Sequence, residues 1–563
     1  MRLLRRGCRV VEGRYFILSG EVEGVGRAMG RWGLTSRGAA LLAVLLAAAM
    51  VPAGPVVAQQ PRSGGTLNYV VEAEPPSFDA HRETTFAMLH PIRPHYNLLV
   101  KFDLPNYPKV VGDLAESWTI SKDGKTYTFK IRQNVKFHDG STLTSRDIKA
   151  SYDKIIFPPE GIISARQATY HMVSAVDAPD PATVVFKLKF ASPGFLENLA
   201  SPFNWIYKAE ILARDMRFYE RNVMGTGPFR FVEYVRGSHW AGRRNPDYFV
   251  PGRPYLDGYR ALFIASPSAQ VAAIRSGQAL MTFRGVAPAQ RDELVAALGN
   301  RIVIQEGPWL CNNIVIFNVK RKPFDDVRVR RALTMAVDRW GGSRALSQIA
   351  FVGPVGAIMR PRSPFAMKDA DLMKLAGYSR NMNAARAEAR QLLQEAGVPD
   401  GFSFTLQNRN VQMPYEPVGI YLVDQWRQIG LNVRHIQSET GPYLANFRAG
   451  NFDAGVDFSC DFVDDPDVQL AKFLSADLSA INYGGYTDRQ LDFWYFQQAR
   501  TTDKAKRQEI VAKFERRLLS DQAYAMYVLW WHRIVPHWRQ VQGYKIDPAH
   551  HLDPDLQDIW LSE

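Results

Sequence analysis

From residue 59 to Glu563 the chain shows no internal repeat, no low-complexity tract and no long linker. A stretch of about 500 residues is more than one hydrophobic core ordinarily serves. Several domains are therefore required, and without linkers they must be woven into one another rather than strung out. The punctuation along this stretch is mixed α/β. Gly65–Val71 (GTLNYVV) reads as a strand. Tyr127, Phe129 and Ile131 alternate with polar residues, as do Val184, Phe186, Leu188 and Phe190, and both runs predict half-buried strands. His138-Asp139-Gly140 lies between them as a turn signal.

Helices are expected between the strands. Thr144–Ile155 has helical spacing, with Ser145 as its cap. Pro323–Arg339 (PFDDVRVRRALTMAVDR) reads as one helix capped by Asp325 or Asp326. Its residues Val329, Ala332, Leu333, Ala336 and Val337 share one face. Ala384–Ala396 follows, with Asn383 as cap and Gly397 as stop, and further helices are expected near 417–429 and 503–520. With 46% hydrophobic and 12% aromatic residues, the chain can fill a large core.

The formal charge is +13, of which residues 1–58, with eight Arg and three Glu, carry +5. The rest is diffuse, and no Lys/Arg block of the kind that follows a phosphate backbone is present. A nucleic-acid partner is not expected. Arg31 and Arg37 precede an apolar run, Gly38–Val51. Pro52–Pro55 break it, and Val56-Val57-Ala58 supplies small residues before Gln59. These are the parts of a cleavable secretory signal, in a run too short to span a bilayer comfortably. No Cys follows the cleavage site, so no lipid anchor is expected. Met29 starts a normal signal by itself, which makes it the expected initiator and 1–28 an over-long extension. The exported chain keeps Cys311 and Cys460, because Cys8 lies in the leader.

Motifs for catalysis are missing: there is no H-E-x-x-H, no G-x-S-x-G and no phosphate-binding loop. The eleven His include only the close pairs His90 with His95, His532 with His537, and His550 with His551, none at zinc-ligand spacing. No enzyme activity, cofactor or metal is expected. The acidic cluster Asp461, Asp464, Asp465 and Asp467 admits two readings. It is a capped, solvated loop around Pro466, or it holds a carboxylate for a cation or ammonium group. Tryptophans are dense at Trp205, Trp309, Trp530, Trp531 and Trp538, each more often core than ligand platform when taken singly.

Several ordered segments resemble the family 5 extracellular solute-binding proteins, the peptide, dipeptide and nickel group of ABC importers. They are GGTLNYVVEAEPPSFDAH at 64–81, DLAESW at 113–118, DGKTYTFKIRQNVKFHDGSTLTSRDI at 123–148, MGTGPFRFVEY at 224–234, RNPDYF at 244–249, PFDDVRVRRALTMAVDR at 323–339 and YGGYTDRQLD at 483–492. The resemblance covers the chain after residue 62. Two departures bear on the ligand rather than the fold. The acidic pair usual after Ser276-Gly277 is replaced by Gln278-Ala279, and the cleft loop Asp461-Phe462-Val463-Asp464-Asp465-Pro466 is one residue longer.

The resemblance implies an α/β periplasmic binding protein fold of two lobes with a hinge and an extra domain beside lobe I. The expected divisions are 59–101, 206–310 and 537–563 in lobe I, 102–205 in the extra domain and 311–536 in lobe II. It implies a periplasmic monomer that binds a small molecule, first of all a peptide, and serves an ABC permease in the inner membrane. A nickel chelate, an opine, haem or an oligosaccharide are the alternatives on the same fold, and a secreted hydrolase lacks any nucleophile–base arrangement. Asp461 matches the Asp that pairs with the ligand's ammonium in peptide-binding relatives, and Asp467 is expected at the rim. Phe462, Trp205, Trp309, Trp531 and Arg409 are the other candidate ligand contacts. Cys311 and Cys460 stand where oligopeptide-binding relatives carry a bridged pair, the alternative being two buried free thiols.

Overall fold

The computed structural model describes residues 60–552 and 554–562, so the leader and its cleavage site lie outside the described residues. Strand β1 (Thr66–Val71) and the helix Phe86–Ile92 begin the first lobe. The chain then leaves it to build a separate antiparallel sheet from β2 (Ala115–Ile120), β3 (Thr126–Ile131), β4 (Val173–Asp180) and β5 (Thr183–Leu188). Their spatial order is β2-β3-β5-β4. The alternating residues Phe129, Ile131, Val184 and Phe186 face inward to a core of their own. The helix over this sheet is Ser145–Ile156, and its cap is Thr144, one residue before the expected Ser145. Asp147 Oδ2 accepts from Thr144 N at 2.8 Å and from the Thr144 hydroxyl at 3.1 Å, which satisfies the N–H at the cap.

Besides two small two-stranded sheets, Val100–Phe102 with Val110–Gly112 and Val541–Gln542 with Trp560–Leu561, the described residues form the strands β6 (Phe229–Val235), β7 (His239–Arg244), β8 (Gly258–Phe263), β9 (Met281–Thr282), β10 (Ile302–Phe317), β11 (Ser403–Arg409), β12 (Asn432–Ser438), β13 (Ala454–Cys460) and β14 (Ala525–Trp538). With β1 they make one sheet in the order β12-β11-β13-β10-β14-β9-β1-β8-β7-β6. The pairs β11–β12 and β11–β13 are parallel, which demands crossover connections. The helices Gln412–Arg427 and Thr440–Arg448 supply them. β13 is buried along almost its whole length, as a strand covered on both faces must be. Gly455 is required there, since a Cβ would sit 2.2 Å from the Phe447 ring.

Two long strands run through both lobes. β10 and β14 pair antiparallel from Ile302 opposite Trp538 to Pro308 opposite His532, and again from Asn312 opposite Trp530 onward, with the register broken in between. On one side of the break β14 meets β9, and on the other β10 meets β13. The break in register, at Trp309–Cys311 in β10 and at Trp531 in β14, falls inside the strands rather than in loops.

The helix expected at 323–339 is two helices. Val327–Met335 is capped by Asp326, whose side chain accepts from Arg328 N, and Arg339–Ile349 is capped by Asp338, which accepts from Gly341 N. A carboxylate that takes a backbone N–H starts a new helix and ends the old one. The apolar face is as expected, with Val329, Ala332, Leu333, Ala336 and Val337 all buried. Met382–Glu395 is capped by Asn381 rather than Asn383. Lys504–Arg516 passes into a π-turn at Arg517–Asp521. Among the described residues no helix is long and apolar enough to cross a membrane.

Candidate functional site

Between the lobes lies a cleft with about 740 Å³ of unfilled space, in part open to solvent. Thr84, Arg166, Tyr170, Asn198 and Phe203 form its wall on the side of lobe I and the extra domain. Phe458, Asp461, Phe462, Lys472, Ile481 and Tyr483 form the lobe II wall. The loop that bears Asp461 begins at the end of β13, where Cys460 stands directly opposite Cys311 of β10. Their sulfurs are bonded, 149 residues apart in sequence. Asp461 N donates to Leu310 O at 2.9 Å, so both covalent and hydrogen bonds tie the start of the loop to the crossing strand. The loop then reaches over to the extra domain. Phe462 and Val463 join that domain's core, and Tyr107 Oη donates to Phe462 O at 2.8 Å.

The acidic cluster divides into different roles. Asp464 pairs with Arg360 at 3.1 Å. Asp465 caps the helix Pro466–Ala471 and takes both terminal nitrogens of Arg507, at 2.9 and 2.7 Å. Asp467 is not on the rim. It is fully buried and accepts from Gln498 Nε2 at 2.7 Å and Arg507 Nη2 at 3.2 Å. These three hold the loop. Asp461 differs: Ser459 Oγ donates to its Oδ2 at 3.1 Å, and among the described residues no cation lies within ion-pair range. Burial pushes its carboxyl up to about 7, against the opposing pull of the Ser459 hydrogen bond, Lys472 and Arg166. Both cations are engaged elsewhere. Lys472 Nζ holds Asp457 at 2.6 Å and Phe458 O at 2.8 Å, and Arg166 donates to Ala80 O and Glu83 O while lying 3.9 Å over the Phe203 ring. A half-buried carboxylate with a hydroxyl but no charged partner is costly for the protein and available to a cation.

Of the other candidate contacts, Phe462 lines the cleft. Trp205 does not. It is fully buried, stacked on Tyr96 at 4.4 Å, with its N–H on Pro202 O. Trp309 is also core, bonded through Nε1 to His550 Nδ1 and set edge-on to Trp531 at 5.0 Å. Trp531 donates to Asn313 Oδ1 at 2.7 Å. Arg409, at the end of β11, is fully buried. It donates to Thr440 Oγ1 at 2.8 Å within lobe II and to Thr85 Oγ1 at 3.3 Å across the seam. Arg166, Tyr170, Lys472 and Tyr483 carry no local sequence signal, because the cleft assembles them from segments far apart in the chain. Among the described residues no group of three or more His, Cys, Asp or Glu is arranged to hold a metal ion.

Residues 109–479 match the bacterial extracellular solute-binding proteins, family 5, middle region. The chain belongs to this family. This family 5 protein is 28% identical over 497 residues to the Di/tripeptide-binding protein 1 of Pseudomonas aeruginosa, covering 84% of this chain and 89% of that protein. It is 28% identical over 519 residues to the Dipeptide-binding protein of Escherichia coli, covering 87% and 94%. Among solved structures it is similar to the periplasmic binding protein AgaA of A. tumefaciens R10 in complex with agropinic acid. The TM-score is 0.78 at 24% identity, covering 89% of this chain and 99% of that one. The two-lobed α/β binding-protein fold is thereby shown. Family 5 proteins are periplasmic, non-catalytic, and act with an ABC permease on small solutes.

Proposed function

We propose that this protein captures a short peptide-like solute with a free ammonium group in the interlobe cleft and, as a monomer, hands it to an ABC permease. Asp461 carries the reading: of the acids in its loop it is the one that faces the cleft without a cation. An ammonium placed there supplies the missing charge, and closure excludes the water that would weaken the pair. The latches for closure are at hand, since Arg448 meets Glu83 at 2.8 Å across the seam and Tyr107 meets the loop backbone. The names of the P. aeruginosa and E. coli relatives, for di/tripeptides and dipeptides, support a peptide. On the same reading the leader is removed on export, and the chain begins near Gln59 with no lipid.

Calorimetry with dipeptides such as Ala-Ala and their N-acetylated forms tests the proposal. Free-amine peptides are expected to bind, and at a hundredfold excess over Kd to stabilise the fold by about 2.7 kcal/mol. Equal binding of the N-acetyl forms would remove the ammonium, and consumption of the ligand would remove the binding-protein reading.

A further inference from the structure

Beyond the inner end of the cleft, a second polar centre lies on the seam between the lobes. Arg284 follows β9 in lobe I and is 1% exposed. Its Nη1 donates across the seam to Met413 O at 3.2 Å and lies 3.8 Å from Glu72 Oε2, too far for a hydrogen bond. Its Nε and Nη2 have no partner among the described residues, and neither does Glu72 Oε2. Arg409 approaches from lobe II, and the Phe86 ring lies by both guanidinium groups, 4.1 Å from that of Arg284 and 5.3 Å from that of Arg409. Two fixed cations thus share one carboxylate in a dry place, and burial drives that carboxyl upward. Arg533, also buried, shows what a purely structural guanidinium looks like. It donates to Phe283 O, Asp547 O and Tyr544 Oη.

The two unfilled donors of Arg284 are adjacent, on the edge of the guanidinium that receives both oxygens of a carboxylate side by side. We propose that this Nε–Nη2 edge of Arg284, with Arg409 facing it, is a subsite for a carboxylate of the solute. The inference rests on reading the cleft as a solute site and narrows the solute to one with an acid group as well as an ammonium. The position agrees. Thr84 lines the cleft two residues before Phe86, and Phe458 lines it with its ring 5.4 Å from the Arg409 guanidinium. Access comes with lobe opening, because Arg284 with Met413 and Arg409 with Thr85 bridge opposite lobes. A bound carboxylate would add its charge where the protein's own anion is outnumbered, and would join the lobes through both arginines.

The test compares each ligand acid with its amide, using Ala-Ala against Ala-Ala-amide and an amino-sugar acid against its amide. With the unaltered protein the amide is expected to bind roughly 100-fold more weakly or worse, since truncating one partner of a buried charge pair mainly leaves the other unpaired. In Arg284→Met the acid and amide should bind within about threefold of each other, amide affinity staying near its original value, as a thermodynamic cycle requires of a direct pair. Arg284→Lys should restore part of the preference. The acid–amide comparison on the unaltered protein needs no variant to fold. Peptide pairs that bind without acid preference overturn the subsite and leave the peptide reading standing. Silent peptides with an acid-preferring sugar pair do the reverse. Equal weakening of acid and amide by Arg284→Met, or silence of every pair, also overturns the subsite.

Discussion

The two ends of the cleft loop, Asp461 and Asp467, are alike in sequence and opposite in use. Both are acids on one short segment, and burial pushes both carboxyls up, to about 7 and about 6. Asp467 has Gln498 and Arg507 built around it, so its charge is spent on holding the helix Pro466–Ala471 to Lys504–Arg516. Asp461 has a hydroxyl and two distant, committed cations. A carboxylate whose partners are all internal is structure, and one left short of a charged partner at a cleft is, on the proposed function, a receptor. The same distinction separates Arg533 from Arg284.

The contrast can be broken or sharpened by experiment. The largest effect is expected from removing the bond that anchors the Asp461 end. Cys311→Ser with Cys460→Ser releases a loop of 149 residues, worth on the order of 4–5 kcal/mol in the chain-entropy model. Thermal and denaturant unfolding should show the loss, with weaker solute binding alongside. Undiminished affinity in the reduced protein would mean that Asp461 is positioned by packing alone. Next comes Asp467→Ala, which leaves Arg507 buried beside a gap and should cost about 3–5 kcal/mol. A near-neutral result would make the two ends of the loop equivalent after all.

The smallest effect on folding, and the most diagnostic, belongs to Asp461→Asn. The Asp461 carboxyl titrates near 3.8 when unfolded and at about 7 when folded. Between these values the folded state binds more protons, so the empty protein loses stability as pH rises from about 4 to about 7. The variant lacks that slope and should be more stable than the parent at pH 8, by about 1–3 kcal/mol, while binding amine ligands far more weakly. Parallel pH–stability curves for the two proteins would contradict the assignment.

Much of the architecture was legible because it rests on local patterns. The alternation at 127–131 and 183–188 became strands, and the apolar face Val329–Val337 became core. The apolar spacing predicts a single helix over 323–339; Asp338 divides it, because its carboxylate accepts from Gly341 N and caps a second helix, a contact that spacing does not reveal. That Asp461 and Phe462 line the cleft was legible by resemblance to a known loop. Trp205, Trp309 and Trp531 lie in the core rather than in the cleft, because a tryptophan's side chain says that it wants burial and not against what. Arg284 and Glu72 went unseen because they meet only when β1, the segment after β9 and the end of β11 are brought to one seam.

Phe462 and Val463 complete the core of the extra domain, yet they belong to a loop of the opposite lobe. The contact from Tyr107 to Phe462 spans 355 residues. A chain made from its N-terminus therefore finishes the strands of that domain long before the residues that seal it exist. Until they arrive, an apolar face stays uncovered, and surfaces of this kind are what aggregate in large proteins. The domain beside lobe I is thus not a module that can be cut out or grafted. Its last course of masonry is laid by the same loop that we propose holds the solute, and on that proposal maturation of the fold and readiness to bind arrive together.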